Sequence, residues 1–202
     1  MTIPPSFWDQ RYAEEGLAYG VAANDFLAAS ARRIPPGPVL CLAEGEGRNA
    51  LHLAALGHAV TAVDLSLVGL EKTQRRARER GLEIATIHAD LAEFDIEEGA
   101  WAGIVAIFAH LPPAIRRRLH QQAVGGLRPG GAFVLEAYTA DQLPHKTGGP
   151  PVRELLFGLE ELREELAGLD LVHAEETVRH IEEGKYHHGT SAVVQVVGIK
   201  PA

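Results

Sequence analysis

Between Val39 and Tyr138 the sequence alternates strand-like and helix-like runs, and this rhythm limits the chain to very few architectures. VLCLA, AVTAVDLS, IATIHADL, WAGIVAIFAHL and AFVLEAY are aliphatic and β-branched. NALHLAALG, LVGLEKTQRRARERG and the helix that begins at Pro112 and Pro113 and runs through AIRRRLHQQAVGGL carry apolar residues at helical spacing. Strands separated by helices pair in parallel through crossovers, so the helices must cover both faces of one sheet. Beyond Tyr138 the rhythm changes. ADQLPHKTGGPP reads as a loop, GLEELREELAG as a short helix, and LDLVHAEETVRHIEEG and TSAVVQVVGIK as strands joined by KYHHG, a turn short enough for an antiparallel hairpin. Upstream, Ser6 is expected to cap FWDQRYAEE after Pro4 and Pro5, and Asn24 or Asp25 to cap FLAASARRI. The expected fold is α/β: one domain over residues 1–202, a three-layer α/β/α sandwich around a doubly wound, mostly parallel sheet. Its C-terminal antiparallel hairpin inserts the last strand against the parallel direction.

Charge and cysteine content narrow the partners. A formal net charge of -8 argues against a general nucleic-acid or anionic-membrane binder, which needs a basic face. The basic runs KTQRRARER and IRRRLH lie on predicted helices and read as solvated outer faces. The single cysteine, Cys41, sits in an apolar strand and reads as a reduced, buried thiol. The opening MTIPPSFWDQ lacks the order of a secretory signal and no run approaches bilayer length, so a cytoplasmic protein without membrane contact is expected. Both a monomer and a homodimer fit the sequence.

In an open parallel sheet the ligand sits at the carboxyl ends of the strands, where strand order reverses. The first such end is the turn AEGEGRNA, in which Gly45 and Gly47 bring main chain close to a ligand. Asp64 ends the second strand about twenty residues on, the usual place for a carboxylate that takes ribose hydroxyls. Asp90 ends the third strand, and Ile107, Phe108 and Ala109 end the fourth. Together they describe a nucleoside site. G-E-G-R-N-A also satisfies the dinucleotide pattern, but Glu44 and Glu46 would repel a pyrophosphate, and no residues remain for a separate substrate domain. A cationic nucleoside without phosphate fits better: S-adenosylmethionine, with its sulfonium and ammonium.

With FWDQRY, VLCLAEGEGRN, AVDLS, HADL and LRPGGAFVLEAY in view, the sequence resembles the class I S-adenosylmethionine-dependent methyltransferases, whose sheet is Rossmann-like. It is most similar to the tellurite-resistance and thiopurine methyltransferase-like branch, which pairs a W-D-x-R-Y start with a G-x-G-R-N turn. The resemblance implies that Gly45 and Gly47 pass beneath the methionyl part, that Asp64 binds the ribose with Leu65 and Ser66 beside the adenine, and that Asp90 with Leu91 reads the adenine edge. Asn49, Ala89, Ile107, Phe108 and Ala109 complete the implied cofactor contacts, and residues 1–30 form a lid that brings in Tyr12 and Tyr19. Two positions depart from the family pattern, which has an acid where Cys41 stands and a glycine where Ala43 stands. Glu44 is expected to restore the negative charge near the ammonium.

Methyl transfer needs in-line approach of a nucleophile, and the thioether leaves without a proton, so positioning and desolvation carry much of the acceleration. The groups expected to face the methyl are Arg48, His110, Tyr19, Tyr138 and the pair His187 and His188, with Arg48, His110 and His188 as the expected catalytic residues. Each has a plainer use: His110 bonding a loop carbonyl, Arg48 bonding carbonyls of the turn, His187 and His188 as exposed turn residues. Adjacent histidines without further clustered ligands make a weak metal site, and none is expected. The sequence therefore reads as an enzyme that methylates a small molecule, a thiol or chalcogen compound being suited, with S-adenosylhomocysteine as product. The alternatives are a non-catalytic S-adenosylmethionine-binding sensor or interaction module and, further off, a nicotinamide-dependent oxidoreductase.

Overall fold

The computed structural model describes residues 5–202; Pro4 lies outside them. Seven strands form one sheet: β1 (Pro38–Leu42), β2 (Ala59–Asp64), β3 (Ile84–His88), β4 (Trp101–Ile107), β5 (Leu127–Tyr138), β6 (Asp170–Glu183) and β7 (His187–Ile199). Their order is β3-β2-β1-β4-β5-β7-β6. β1 to β5 pair in parallel, and β7 inserts antiparallel between β5 and β6. Six α-helices accompany the sheet: α1 (Pro5–Ala13), α2 (Asp25–Ser30), α3 (Arg48–Ala55), α4 (Leu67–Glu79), α5 (Pro113–Gly126) and α6 (Leu159–Glu165). Residues of β1 alternate between the two cores, as the two-residue strand period requires. Val39 and Cys41 pack with Leu27, Ala50, Leu53 and Leu70 beneath α2, α3 and α4. Leu40 and Leu42 pack with Leu119, Ala123, Phe157 and Leu162 on the α5 and α6 side. None of these helices is long and apolar enough to cross a membrane.

Local differences from the sequence expectations have local causes. α1 already includes Pro5, so Ser6 lies inside it rather than capping it. Asn24, not Asp25, caps α2 by accepting the Leu27 N–H at 2.9 Å. α2 gives way after Ser30 to a single tight turn, Ala31–Arg33, ahead of Pro35 and Pro36, which cannot continue a helix. The RPGG segment joins β5 instead of preceding it: Gly130 N–H donates to Lys200 O and Lys200 N–H to Gly131 O, both at 2.9 Å. β7 begins at His187, so only Gly184, Lys185 and Tyr186 are left between the paired strands.

Candidate functional site

Three left-handed residues turn the chain out of β1: Ala43 at φ 51°, Gly45 at 62° and Gly47 at 82°. A Cβ on Gly47 would strike Thr73 of α4, so the turn also needs glycine for space. Gly47 has no side chain with which to cap α3, and Glu44 supplies the cap from three residues earlier. Its Oε1 accepts the N–H groups of Asn49 at 2.9 Å and Ala50 at 2.8 Å. Burial nevertheless pushes the Glu44 pKa up to about 7, and the Asp64 charge adds to the rise. Asp64 accepts Gly45 N–H at 2.7 Å and Ser66 N–H at 2.8 Å, and burial raises it to about 6. Glu46 accepts Ala18 N–H at 2.7 Å and pairs with Lys72 at 2.9 Å. Three carboxylates therefore stand within one turn and one strand end, exposed by only 8%, 6% and 5% for Glu44, Glu46 and Asp64.

The N-terminal segment closes over them. Asp9 of α1 accepts the Ser66 hydroxyl and sits at the N-terminus of α4, where a carboxylate is electrostatically favoured. Tyr12, one turn on, lies so close above Gly45 that a Cβ there would meet its hydroxyl. Tyr19 receives an Arg11 N–H at 3.1 Å and packs its ring 4.6 Å from His187. The other wall is the hairpin turn. Lys185 N–H donates to Ala18 O at 2.9 Å, the Tyr186 hydroxyl donates to Glu14, and Gly184 meets Gly20 so closely that a Cβ on Gly184 would collide with its main chain.

At the end of β4, Phe108 is held at φ 54°, its N–H donating to Glu136 O at 2.7 Å. Its ring stacks on Tyr138 at 4.5 Å and meets His187 edge-on at 4.6 Å. His110 spends both ring nitrogens on main chain: Nδ1–H donates to Leu155 O at 2.9 Å, and Nε2 accepts Tyr138 N–H at 3.3 Å. Burial lowers its pKa to about 4, so it stays neutral with no nitrogen left to face an acceptor. Strand alternation separates the two hairpin histidines. His187 turns inward against Phe108, Tyr138 and Tyr19, whereas His188 is exposed beside His180, away from the crevice. Arg48 is buried and pairs with Glu183 at 2.6 Å, which His187 approaches to 3.7 Å. Burial opposes ionisation of Glu183, but His187 and Arg48 hold its pKa down to about 2. Glu136, fully buried in the AFVLEAY half of β5, accepts from Arg179, Gln195 and Asn24.

The remaining expected contacts fall along the same rim. Leu65 O accepts from His88, Ser66 caps α4, and Ala89 N–H donates to Asp64 O. Asp90 receives Ala92 N–H at 2.8 Å, while Leu91, Ile107 and Ala109 are buried. The Asn49 side chain accepts Asn24 N–H at 3.0 Å and so ties α3 to the start of α2. The roles of Asp9, Glu136 and Glu183 were not read from the sequence. A lone glutamate in AFVLEAY was the one available signal, since a carboxylate in an apolar strand must find buried partners.

Residues 39–131 match a family described as a methyltransferase domain. Over 86 residues, 42% of this chain, the sequence is 33% identical to a carboxy-S-adenosyl-L-methionine synthase of Yersinia pestis strain Pestoides F, and it spans about a third of that protein, 32%. Among solved structures, TehB from Haemophilus influenzae superposes with a TM-score of 0.72 at 20% identity, over 97% of this chain and 66% of that one. A protein solved in work on conversion of a disulfide bond into a thioacetal group during echinomycin biosynthesis gives a TM-score of 0.75 at 19% identity, over 97% and 89%. The glycine turn, Asp64 and the antiparallel β7 thus sit in a Rossmann-like fold shared with S-adenosylmethionine-dependent methyltransferases, and residues 39–131 are similar to a methyltransferase domain.

Proposed function

We propose that the protein transfers a methyl group from S-adenosylmethionine to a small acceptor, with a thiol or another soft chalcogen as the reacting atom. One observation carries the reading: Glu44, Glu46 and Asp64 are gathered and buried at the carboxyl ends of β1 and β2, with Lys72 paired to Glu46 alone. Such a crevice repels phosphate and favours a nucleoside with positive charge. Its closure by α1 and the hairpin turn suits a small acceptor, and a disulfide-to-thioacetal conversion on the same fold supports sulfur as the acceptor atom.

When bound, the cofactor supplies an electrophilic methyl on a sulfonium. The chain's own contribution is positioning and exclusion of water. Asp64 orients the ribose, the Gly45 to Gly47 turn lets main chain approach the methionyl end, and Glu44 lends charge to its ammonium. Phe108, Tyr138, Tyr19 and His187 make an aromatic wall that keeps the acceptor side dry. A thiolate needs no base at the moment of attack. For an acceptor that arrives protonated, His187, beside Glu183, is the inward-facing imidazole.

Calorimetric titration with S-adenosylhomocysteine tests the cofactor assignment, with loss of measurable binding expected in Asp64→Ala. Unchanged affinity in that variant would remove the ribose role. Mass spectrometry of label moved from methyl-labelled cofactor onto a panel of thiols, chalcogen oxyanions and small phenols tests the acceptor class. Binding without any labelled product would favour a sensor over an enzyme.

A further inference from the structure

A cleft of about 530 Å³ opens between α2, α3 and α4, lined in part by Arg48, whose Nη2 pairs with Glu183. Its walls include Arg48, His52, Arg76 and Arg80, with Asp25 and Glu79 as the acidic residues. Asp25 is exposed and pairs with Arg179 at 3.6 Å. Among the described residues no carboxylate comes within ion-pair distance of Arg76 or Arg80. Two polar atoms on these walls are buried with no hydrogen-bond partner, Arg48 Nη1 and His52 Nε2. A chain whose net charge is -8 has nonetheless gathered three guanidinium groups and an imidazole around one hollow. Glu183 meets the charge of Arg48, whereas Arg76 and Arg80 stay beyond ion-pair distance of a carboxylate, and buried polar atoms without a partner are rare in folded proteins.

We propose that this cleft binds a small phosphate-bearing anion, with Arg80 and Arg76 as the charged clamp and His52 and Arg48 as the inner wall. Planar guanidinium groups match the geometry of phosphate oxygens in a way that a diffuse positive surface does not. The volume accommodates a small metabolite rather than a polymer, and the acidic remainder of the surface repels nucleic acid. The cleft also touches the cofactor region through two of its arginines. Arg48 Nη2 holds Glu183, and Arg76 Nη1 donates to Glu46 O in the glycine turn. A bound anion therefore draws on groups that brace the turn, which couples the cleft to the crevice above it.

Calorimetric titration of the cofactor-free protein with pyrophosphate, at constant ionic strength, reads this site independently of methyl transfer. Saturable binding of one pyrophosphate is expected, weakened at least tenfold in Arg80→Gln and in His52→Gln and unchanged in Arg33→Gln. Arg80 lies at the exposed end of α4, so its loss leaves the core intact. No saturable heat, or equal affinity in wild type and Arg80→Gln, would overturn the site. Equal affinity for succinate would overturn the phosphate class. Failure of S-adenosylhomocysteine to bind would remove the proposed cofactor role and leave this result standing.

Discussion

Glu44 is the residue at which stability and function pull hardest against each other, and Glu44→Gln separates them. In the unfolded chain this carboxyl ionises near its ordinary value of 4.5; in the folded protein burial raises it to about 7. The folded state therefore holds a proton that the unfolded state has already lost. Stability attributable to this group is greatest at low pH and falls as pH rises from about 4.5 to about 7. Above that window the rise from 4.5 to about 7 corresponds to a penalty of about 3 kcal/mol, falling below about 1 kcal/mol at pH 5. Glutamine keeps an oxygen for the Asn49 and Ala50 N–H groups and removes the titration. The ligand-free variant is expected to gain about 3 kcal/mol at pH 8, or about 1–2 M in urea midpoint, and little at pH 5. The same change removes charge near the expected ammonium and weakens S-adenosylhomocysteine binding by about tenfold. Urea titrations at the two pH values, with and without ligand, measure all four quantities. A variant no more stable than wild type at pH 8 would show that the charge on the α3 cap stabilises the fold, and the reasoning would fail.

Other groups give predictions of different sign. Burial opposes ionisation of Glu165, but His120 and Arg116 hold its pKa near 2, as His187 and Arg48 do for Glu183. Their contribution is present above about pH 4.5 and lost as pH falls toward 2, so Glu165→Gln should narrow the stability difference between pH 3 and pH 5 in chemical denaturation. Arg116→Met leaves Glu165 buried with only His120 beside it and is expected to cost about 3–5 kcal/mol, read from the urea midpoint at pH 7. Gly184→Ala, at φ 71° against the Gly20 main chain, should undock the lid from the hairpin and speed tryptic cleavage after Arg11 with little change in the main thermal transition. The His110 ring should show no titration between pH 5 and 9 by NMR, because burial keeps it neutral and its nitrogens are committed to main chain.

The layers of this fold were legible because period is a property of neighbouring residues. VLCLA, AVTAVDLS and WAGIVAIFAHL are apolar along their length, as strands buried on both faces must be, and the helices between them carry one apolar stripe. The glycine turn and Asp64 were legible for the same reason. What escaped was whatever depends on where a side chain points after distant segments meet. The histidine pair shows this: one residue of register decides which imidazole enters the crevice, and the strand began earlier than the KYHHG turn suggested, which turned His187 inward and left His188 exposed. Asp9 escaped because its partner, the start of α4, lies 57 residues away. Glu44 was expected to face the ligand, and its charge is indeed in the turn, but the missing cap on α3 claims one of its oxygens.

The closed crevice also has an energetic logic. Tyr12 covers Gly45, where the proposed reading puts the methionyl part, and on that reading the cofactor and the docked ring compete for overlapping space. Displacing α1 gives up the Asp9 contacts at α4 and the Ala18 N–H bond to Glu46. What offsets that loss is already stored beneath the lid. Asp64 and Glu44 are held above their ordinary pKa values chiefly because burial leaves their charge poorly solvated. A cationic ligand relieves that penalty at the moment it enters, whereas a neutral nucleoside would have to lift the lid without such compensation. On the proposed reading, selectivity for positive charge comes from making the empty, closed site uncomfortable as much as from contacts in the filled one. Gly184, left-handed at φ 71°, lets the hairpin turn and the Gly20 loop meet main chain to main chain, so a side chain there would hold the two segments apart.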